Sequence, residues 1–160
     1  MITFDWSALA RAVHVLSVVH WIGGLAVVTT IVLPAARRMD TPQQAIAAFE
    51  MFERRFAPQA RWSVALVGLS GGYMFASSYG WHRVFEPSLW WLQLMIAIWL
   101  VFALMLFALE PLLLHEMFRR YALDQPRRAF DIAIRLHLLA LMASVVAIGA
   151  GVLGAHGAIR

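Results

Sequence analysis

Four long apolar stretches, at approximately residues 8–34, 63–79, 89–115 and 132–156, are separated by short segments that hold most of the charge. A hydrocarbon core of about 30 Å is crossed by roughly 20 helical residues, so these lengths suit transmembrane helices, the second stretch being the shortest. Strands are excluded, because unpaired backbone is prohibitive in lipid and four segments cannot close a barrel. The expected fold class is therefore all-α: an integral membrane four-helix bundle forming a single domain over residues 1–160. Composition agrees, since 62% of residues are apolar, 14% are charged and the mean hydropathy is +0.72. That surplus of apolar surface, gathered in blocks, implies lipid-facing helices. Asp5 makes the N-terminus acidic, and the first apolar run is too long for a signal-peptide core, so it reads as a retained helix.

Between the first two stretches, residues 41–61 carry Ala45, Phe49, Phe52 and Phe56 at three- and four-residue intervals beside Glu50, Glu53, Arg54 and Arg55. This pattern predicts an amphipathic helix lying at the membrane interface. All thirteen basic residues are arginine and the net charge is +4. With four crossings, Arg37, Arg38, Arg54, Arg55, Arg61, Arg119, Arg120, Arg127, Arg128 and Arg135 fall on one side, and only Arg11, Arg83 and Arg160 on the other. The positive-inside rule makes the first side cytoplasmic and puts both termini on the outer side. Trp6, Trp81, Trp90 and Trp91 then gather at the outer interface and Trp62 at the inner one.

The chain has no cysteine, which removes disulfides, thiolate metal sites, Cys-ligated clusters and thioether haem attachment. Gly149, Gly151 and Gly154 spell Gly-x-Gly-x-x-Gly, but no strand precedes them. Like Gly23, Gly24, Gly71 and Gly72, they read as surfaces for close helix packing.

Six histidines in so small and apolar a chain are the informative anomaly. His14, His20 and His137 lie inside apolar runs, His115 and His156 at helix ends, and His82 in the outer loop. An ionisable ring in lipid is costly and needs a partner: a hydrogen bond to another helix, a metal ion or a haem iron. For His82 and His156 the interfacial or hydrogen-bonded reading suffices. For His14, His20, His115 and His137 together a shared partner is the simpler account, because the apolar helices offer few other polar side chains. His14 and His20 are six residues apart, about 120° around a helix and about 9 Å along it, so one ion cannot take both. Haem b suits the pattern better than a compact copper or zinc cluster, since haem lies between helices on axial histidines. His20 and His137 differ in depth by roughly 15 Å in upright helices. The expected arrangement is thus one or two haems per chain: an outer site on His14 or His20 and an inner site on His115 or His137. Arg11, Arg83, Arg119, Arg120, Arg128 and Arg135 are available to pair with propionates.

In the first helix His14, then Trp21, Gly23 and Gly24, then Leu33 and Pro34 before Arg37 and Arg38, resembles the copper-resistance D (CopD) family of bacterial membrane proteins. It is also similar to the HemJ-type protoporphyrinogen oxidases, small four-helix membrane proteins that bind haem b. Arg55 and Phe56 before the second helix, and Arg135 through Gly154 in the last, extend the likeness. The resemblance implies that His14 is a haem or metal ligand. Where these families often carry a lysine early in the third helix, this chain has Gln93, and it contains no lysine. The leading expectation is a membrane-bound b-type cytochrome that exchanges single electrons with a quinone or a redox protein. Copper transport and protoporphyrinogen oxidation are the alternatives. Expected partners are the lipid bilayer, the quinone or redox protein, and a second copy in a homodimer, with no nucleic acid.

Overall fold

The computed structural model describes residues 5–158, with the side chains of residues 113–115 outside the described set. Arg160 therefore lies outside the described residues. α1 (Trp6–Val27) begins where the Asp5 carboxylate accepts the Ser7 and Ala8 N–H groups at 2.9 and 3.2 Å, satisfying donors that a first helical turn leaves unpaired. It continues through a π-helical stretch (Val28–Val32) into the short α2 (Leu33–Arg37). Pro34 has no N–H and crowds the carbonyl one turn back, which favours a widened turn there. The Thr29 and Thr30 hydroxyls donate to the Leu25 and Ala26 carbonyls at 2.6 and 2.7 Å.

α3 (Pro42–Ser78) is one continuous helix of 37 residues, about 56 Å long at 1.5 Å per residue. Thr41 caps it by accepting the Gln44 N–H at 3.3 Å, and Pro42 takes the first position, where no N–H is needed. The amphipathic segment expected over 41–61 and the apolar stretch over 63–79 are thus a single rod, with Pro58 inside it. The stripe expected to face lipid headgroups faces protein instead. Ala45, Phe49, Phe52 and Phe56 pack with Val28, Leu33, Ala36, Phe118, Phe130 and Ala133, because neighbouring helices bury those rings more fully than an interface can. Gly80, at φ +80°, lets the chain leave α3; without a Cβ that conformation carries no steric penalty.

Two 3-10 turns (Trp81–Arg83 and Pro87–Leu89) lead into α4 (Trp90–Leu104), a second π-helical stretch (Met105–Leu114), α5 (His115–Asp124) and α6 (Pro126–Ala155). No strand occurs among the described residues. α1 runs antiparallel to α3, with His14 opposite Ser70 and His20 opposite Ser63. α3 runs antiparallel to α4, placing Arg61 beside Leu106 and Gly68 beside Trp99. α4 and α6 meet with Met95 on Gly151 and Trp91 on Gly154. α1 and α4 each pack on both α3 and α6, so they lie diagonally across the interior.

Among the described residues, three segments are long and apolar enough to cross a membrane: Trp6–Arg37, Pro87–Leu112 and Pro126–Ala155. α3 falls short of that apolarity, since Ser63, Ser70, Gly71, Gly72, Ser77 and Ser78 dilute its second half. Ser63 and Ser70 are buried against other helices, where a small polar side chain is accommodated. Large apolar side chains cover the outside, among them Leu16 at 69% exposure and Leu139 at 67%. Water-facing surfaces rarely expose so much continuous hydrocarbon. Trp6, Trp62, Trp81 and Trp90 are exposed, as interfacial rings should be, but Trp91 is buried against α6.

Candidate cofactor cavity

The interior between α1, α3, α4 and α6 holds a cavity of about 230 Å³ near the end of the molecule that carries the 79–89 loop. Its walls are apolar, with Trp21, Val67, Phe75, Met95 and Trp99 among them. His14 is the one ionisable side chain in the lining. Glycines create the close approach that shapes it. A Cβ at Gly71 would stand 3.1 Å from the His14 ring, and one at Gly68 would collide with the Trp99 indole. Trp99 is held in turn by donating to the Val64 carbonyl at 2.8 Å.

The His14 ring is pinned on α3. Its Nδ1 lies 3.1 Å from the Val67 carbonyl oxygen and 3.2 Å from Ser70 Oγ. A carbonyl can only accept, so Nδ1 carries the proton. The Ser70 hydroxyl donates its own proton to the Leu66 carbonyl, which leaves its oxygen free to accept from His14. Nε2 is therefore the bare lone-pair nitrogen of a cavity-lining ring. Metal-ligating histidines show this pattern, with one ring N–H held by a backbone carbonyl and the other nitrogen presented to the metal.

The other histidines do not join it. His20 is exposed on the flank of α1; its Nδ1 lies 2.8 Å from Ser63 Oγ and its ring 6.1 Å from that of Phe56. His137 donates from Nδ1 to the Ala133 carbonyl of its own helix at 2.9 Å. Neither lines the cavity. The His115 side chain lies outside the described residues. His82 and His156 are exposed, and the latter bonds the Val152 carbonyl at 2.8 Å. His14, His20 and His137 each have their own hydrogen-bond partner at Nδ1, on α3 or α6. Ser63 and Ser70, seven residues apart on one face of α3, are the polar partners that the sequence reading passed over. Their spacing, set against histidines six apart on α1, was the available signal. Met95 and Ser144, also in the lining, were missed because nothing local marks them.

Most of the arginines suggested for propionates are engaged elsewhere. Arg83 pairs with Glu86 at 2.8 Å, Arg119 and Arg120 pair with Glu116 at 2.9 and 2.7 Å, and Arg128 donates to Gln125 at 3.0 Å. The Arg83 guanidinium and the Ser88 hydroxyl hold the Glu86 carboxyl well down, at about 2. Gln93 donates to the Glu86 carbonyl at 2.9 Å, tying the first turn of α4 to the same loop. Arg11, one turn before His14, has no ion-pair partner among the described residues.

A second polar centre sits at the arginine-rich end. Arg61 Nε donates to the Leu106 carbonyl at 3.0 Å, and its guanidinium is paired with Glu110. In the π-helical register that carbonyl would accept from residue 111, which is proline and has no N–H. Arg61 supplies the missing donor. Among the described residues no group of three His, Cys, Asp or Glu side chains is placed to hold a metal ion. Comparison of the chain with family models, with curated proteins and with solved structures returned no match.

Proposed function

We propose that the chain is a bacterial inner-membrane b-type cytochrome that crosses the bilayer four times and holds haem b in the cavity, with His14 as an axial ligand. The observation that carries this reading is the pinned tautomer of His14, which leaves the lone pair on Nε2 of a ring that lines an apolar space between four helices. Its residues resemble those of a non-covalent haem site in kind: one imidazole and apolar and aromatic walls. The void is smaller than the ~300–1,000 Å³ usual for ligand pockets. Exposed Trp81, in the same lining and packed on Phe75, would have to be displaced for a larger group to enter. When bound, the haem supplies a one-electron ferric–ferrous couple, and the chain contributes burial, orientation and the axial nitrogen. Because neither His20 nor His137 lines the cavity, one haem per chain is the reading supported best. Lipid surrounds the helices, and a quinone or redox protein exchanges the electrons.

In this topology the second half of α3 is the fourth crossing, and the arginine-rich end is cytoplasmic. Single cysteines can be introduced without background, since the chain has none. In intact cells with a permeable outer membrane, His82→Cys is expected to react with an impermeant maleimide, and Asp124→Cys only after the inner membrane is opened. Asp40→Cys, at the other end of α3 and exposed, is expected to behave like Asp124→Cys, and labelling in the manner of His82→Cys means that α3 does not cross.

The cofactor is tested by a reduced-minus-oxidised spectrum of protein purified after haem-sufficient expression. Sharp b-type bands at one haem per chain, lost in His14→Ala, are the expected result. A featureless spectrum removes the haem reading. Copper bound in its place would support the rival assignment to transport.

A further inference from the structure

We propose that the exposed edge where α2 meets the start of α6 binds the headgroup of an anionic phospholipid. This site requires that α6 cross the bilayer and does not depend on what occupies the cavity.

Arg37, at the end of α2, holds Asp131 of α6 by two bonds, from Nε at 2.6 Å and from Nη2 at 3.2 Å. That carboxylate is thereby taken. Arg127 and Arg135 stand four residues to either side of Asp131, so the three share one face of α6, each arginine about 6 Å along the axis from the carboxylate. Both are exposed, as is Arg38 beside Arg37, and none of these three has an ion-pair partner among the described residues. Even with exposed Asp40 counted, positive charge is in excess at this edge.

The backbone adds to it. Gln125, at the N-cap of α6, makes no side-chain capping bond, and the first turn holds no acidic residue. The N–H groups of Arg127 and Arg128 have no carbonyl to reach within the helix, and the positive end of a helix of 30 residues favours an anion.

The kind of anion follows from the residues next along α6. Beyond Arg135 the same face continues as Leu138, Met142 and Val145, all exposed, within a segment apolar enough to span. The arginines therefore stand where hydrocarbon gives way to water. A ligand that matches both parts carries a phosphate at one end and acyl chains at the other. Guanidinium forks pair with phosphate oxygens two bonds at a time, and basic sites between spanning helices on the cytoplasmic side suit acidic headgroups. Phosphatidylcholine brings a quaternary ammonium beside its phosphate, and inorganic phosphate brings no chains.

The test uses the full chain purified in detergent, with phosphatidylglycerol, phosphatidylcholine or inorganic phosphate added. Bound lipid per chain is counted by native mass spectrometry, and thermal unfolding is followed in parallel. The variants are Arg127→Gln with Arg135→Gln, Arg38→Gln alone and, as a control, Arg119→Gln with Arg120→Gln, which removes the same charge from arginines already paired with Glu116. Phosphatidylglycerol is expected to saturate wild type and the control alike and to raise their unfolding temperature, with no such rise from phosphatidylcholine or phosphate. Its affinity should fall at least tenfold in the Arg127 and Arg135 double variant and severalfold in Arg38→Gln, which keeps the test decisive if the double variant fails to fold. Unchanged binding in these variants, or equal weakening in the control, overturns the site and leaves only a diffuse effect of net charge. Stabilisation by inorganic phosphate equal to that by phosphatidylglycerol overturns the lipid assignment. Release of the chain from membranes by alkaline carbonate overturns instead the reading that α6 spans.

Discussion

His14 Nδ1 lies 3.1 Å from the carbonyl oxygen of Val67, and that one contact decides which nitrogen of the ring carries the proton. Ser70 Oγ, at 3.2 Å, is an auxiliary acceptor.

Ser70→Ala should consequently leave the ring in place. The Val67 carbonyl remains, so the variant is expected to retain full haem content and to lose about 0.5–1.5 kcal/mol of stability, the net value of one hydrogen bond. Thermal unfolding in detergent, read beside the haem spectrum, checks both halves. Loss of haem in this variant would mean that the serine, not the backbone, orients His14.

Glycines in the helices differ sharply in what surrounds them. Gly68→Ala puts a Cβ into the Trp99 indole, whereas nothing lies within 4 Å of a Cβ at Gly149. Gly68→Ala is expected to destabilise by about 1–3 kcal/mol through overpacking. Gly149→Ala should be neutral or stabilising by up to about 1 kcal/mol from helix propensity. Equal unfolding temperatures for the two variants would contradict the tight approach of α3 and α4.

Arg61 serves two acceptors, the Leu106 carbonyl and Glu110. With the two charged side chains 33% and 21% exposed, Arg61→Met is expected to cost about 1.5–3 kcal/mol, the range for hydrogen bonds to charged groups. Glu110→Gln should cost less, because Arg61 still reaches the carbonyl left open by Pro111. The ordering of the two unfolding midpoints is the measurement.

The 79–89 loop carries its own acid dependence. Glu86 is held at about 2, against an ordinary value of 4.5, by hydrogen bonds from Arg83 and Ser88. A depressed carboxylate pKa contributes stability that is fully present above pH 4.5 and is lost as the pH falls toward about 2. Wild type should therefore lose stability across that window relative to Glu86→Gln. Parallel pH profiles for the two proteins would show that the ion pair does not form in solution.

Much of the architecture was legible because membrane helices advertise themselves by length. The first, third and fourth apolar stretches correspond to segments long and apolar enough to span, and the glycines at 24, 151 and 154 do admit neighbouring side chains. The reading of residues 41–61 was half right. Its amphipathic period is real, but period alone does not say whether the apolar face meets lipid or protein, and here Phe118 and Phe130 cover it. Trp91 misled for a related reason, since tryptophan suits an interface and a helix notch equally well, and Gly154 provides the notch.

The sequence by itself determined that this chain is helical and largely apolar, and that His14, His20 and His137 sit within apolar runs, because hydropathy and the 3.6-residue period are local properties. Only the tertiary structure decided that His14 lines a cavity while His20 and His137 do not. That distinction depends on how α1, α3, α4 and α6 rotate and slide against one another, which is fixed by the packing of Gly68 on Trp99, Gly151 on Met95 and Gly154 on Trp91. Such contacts join residues far apart in the chain, and no local pattern encodes them.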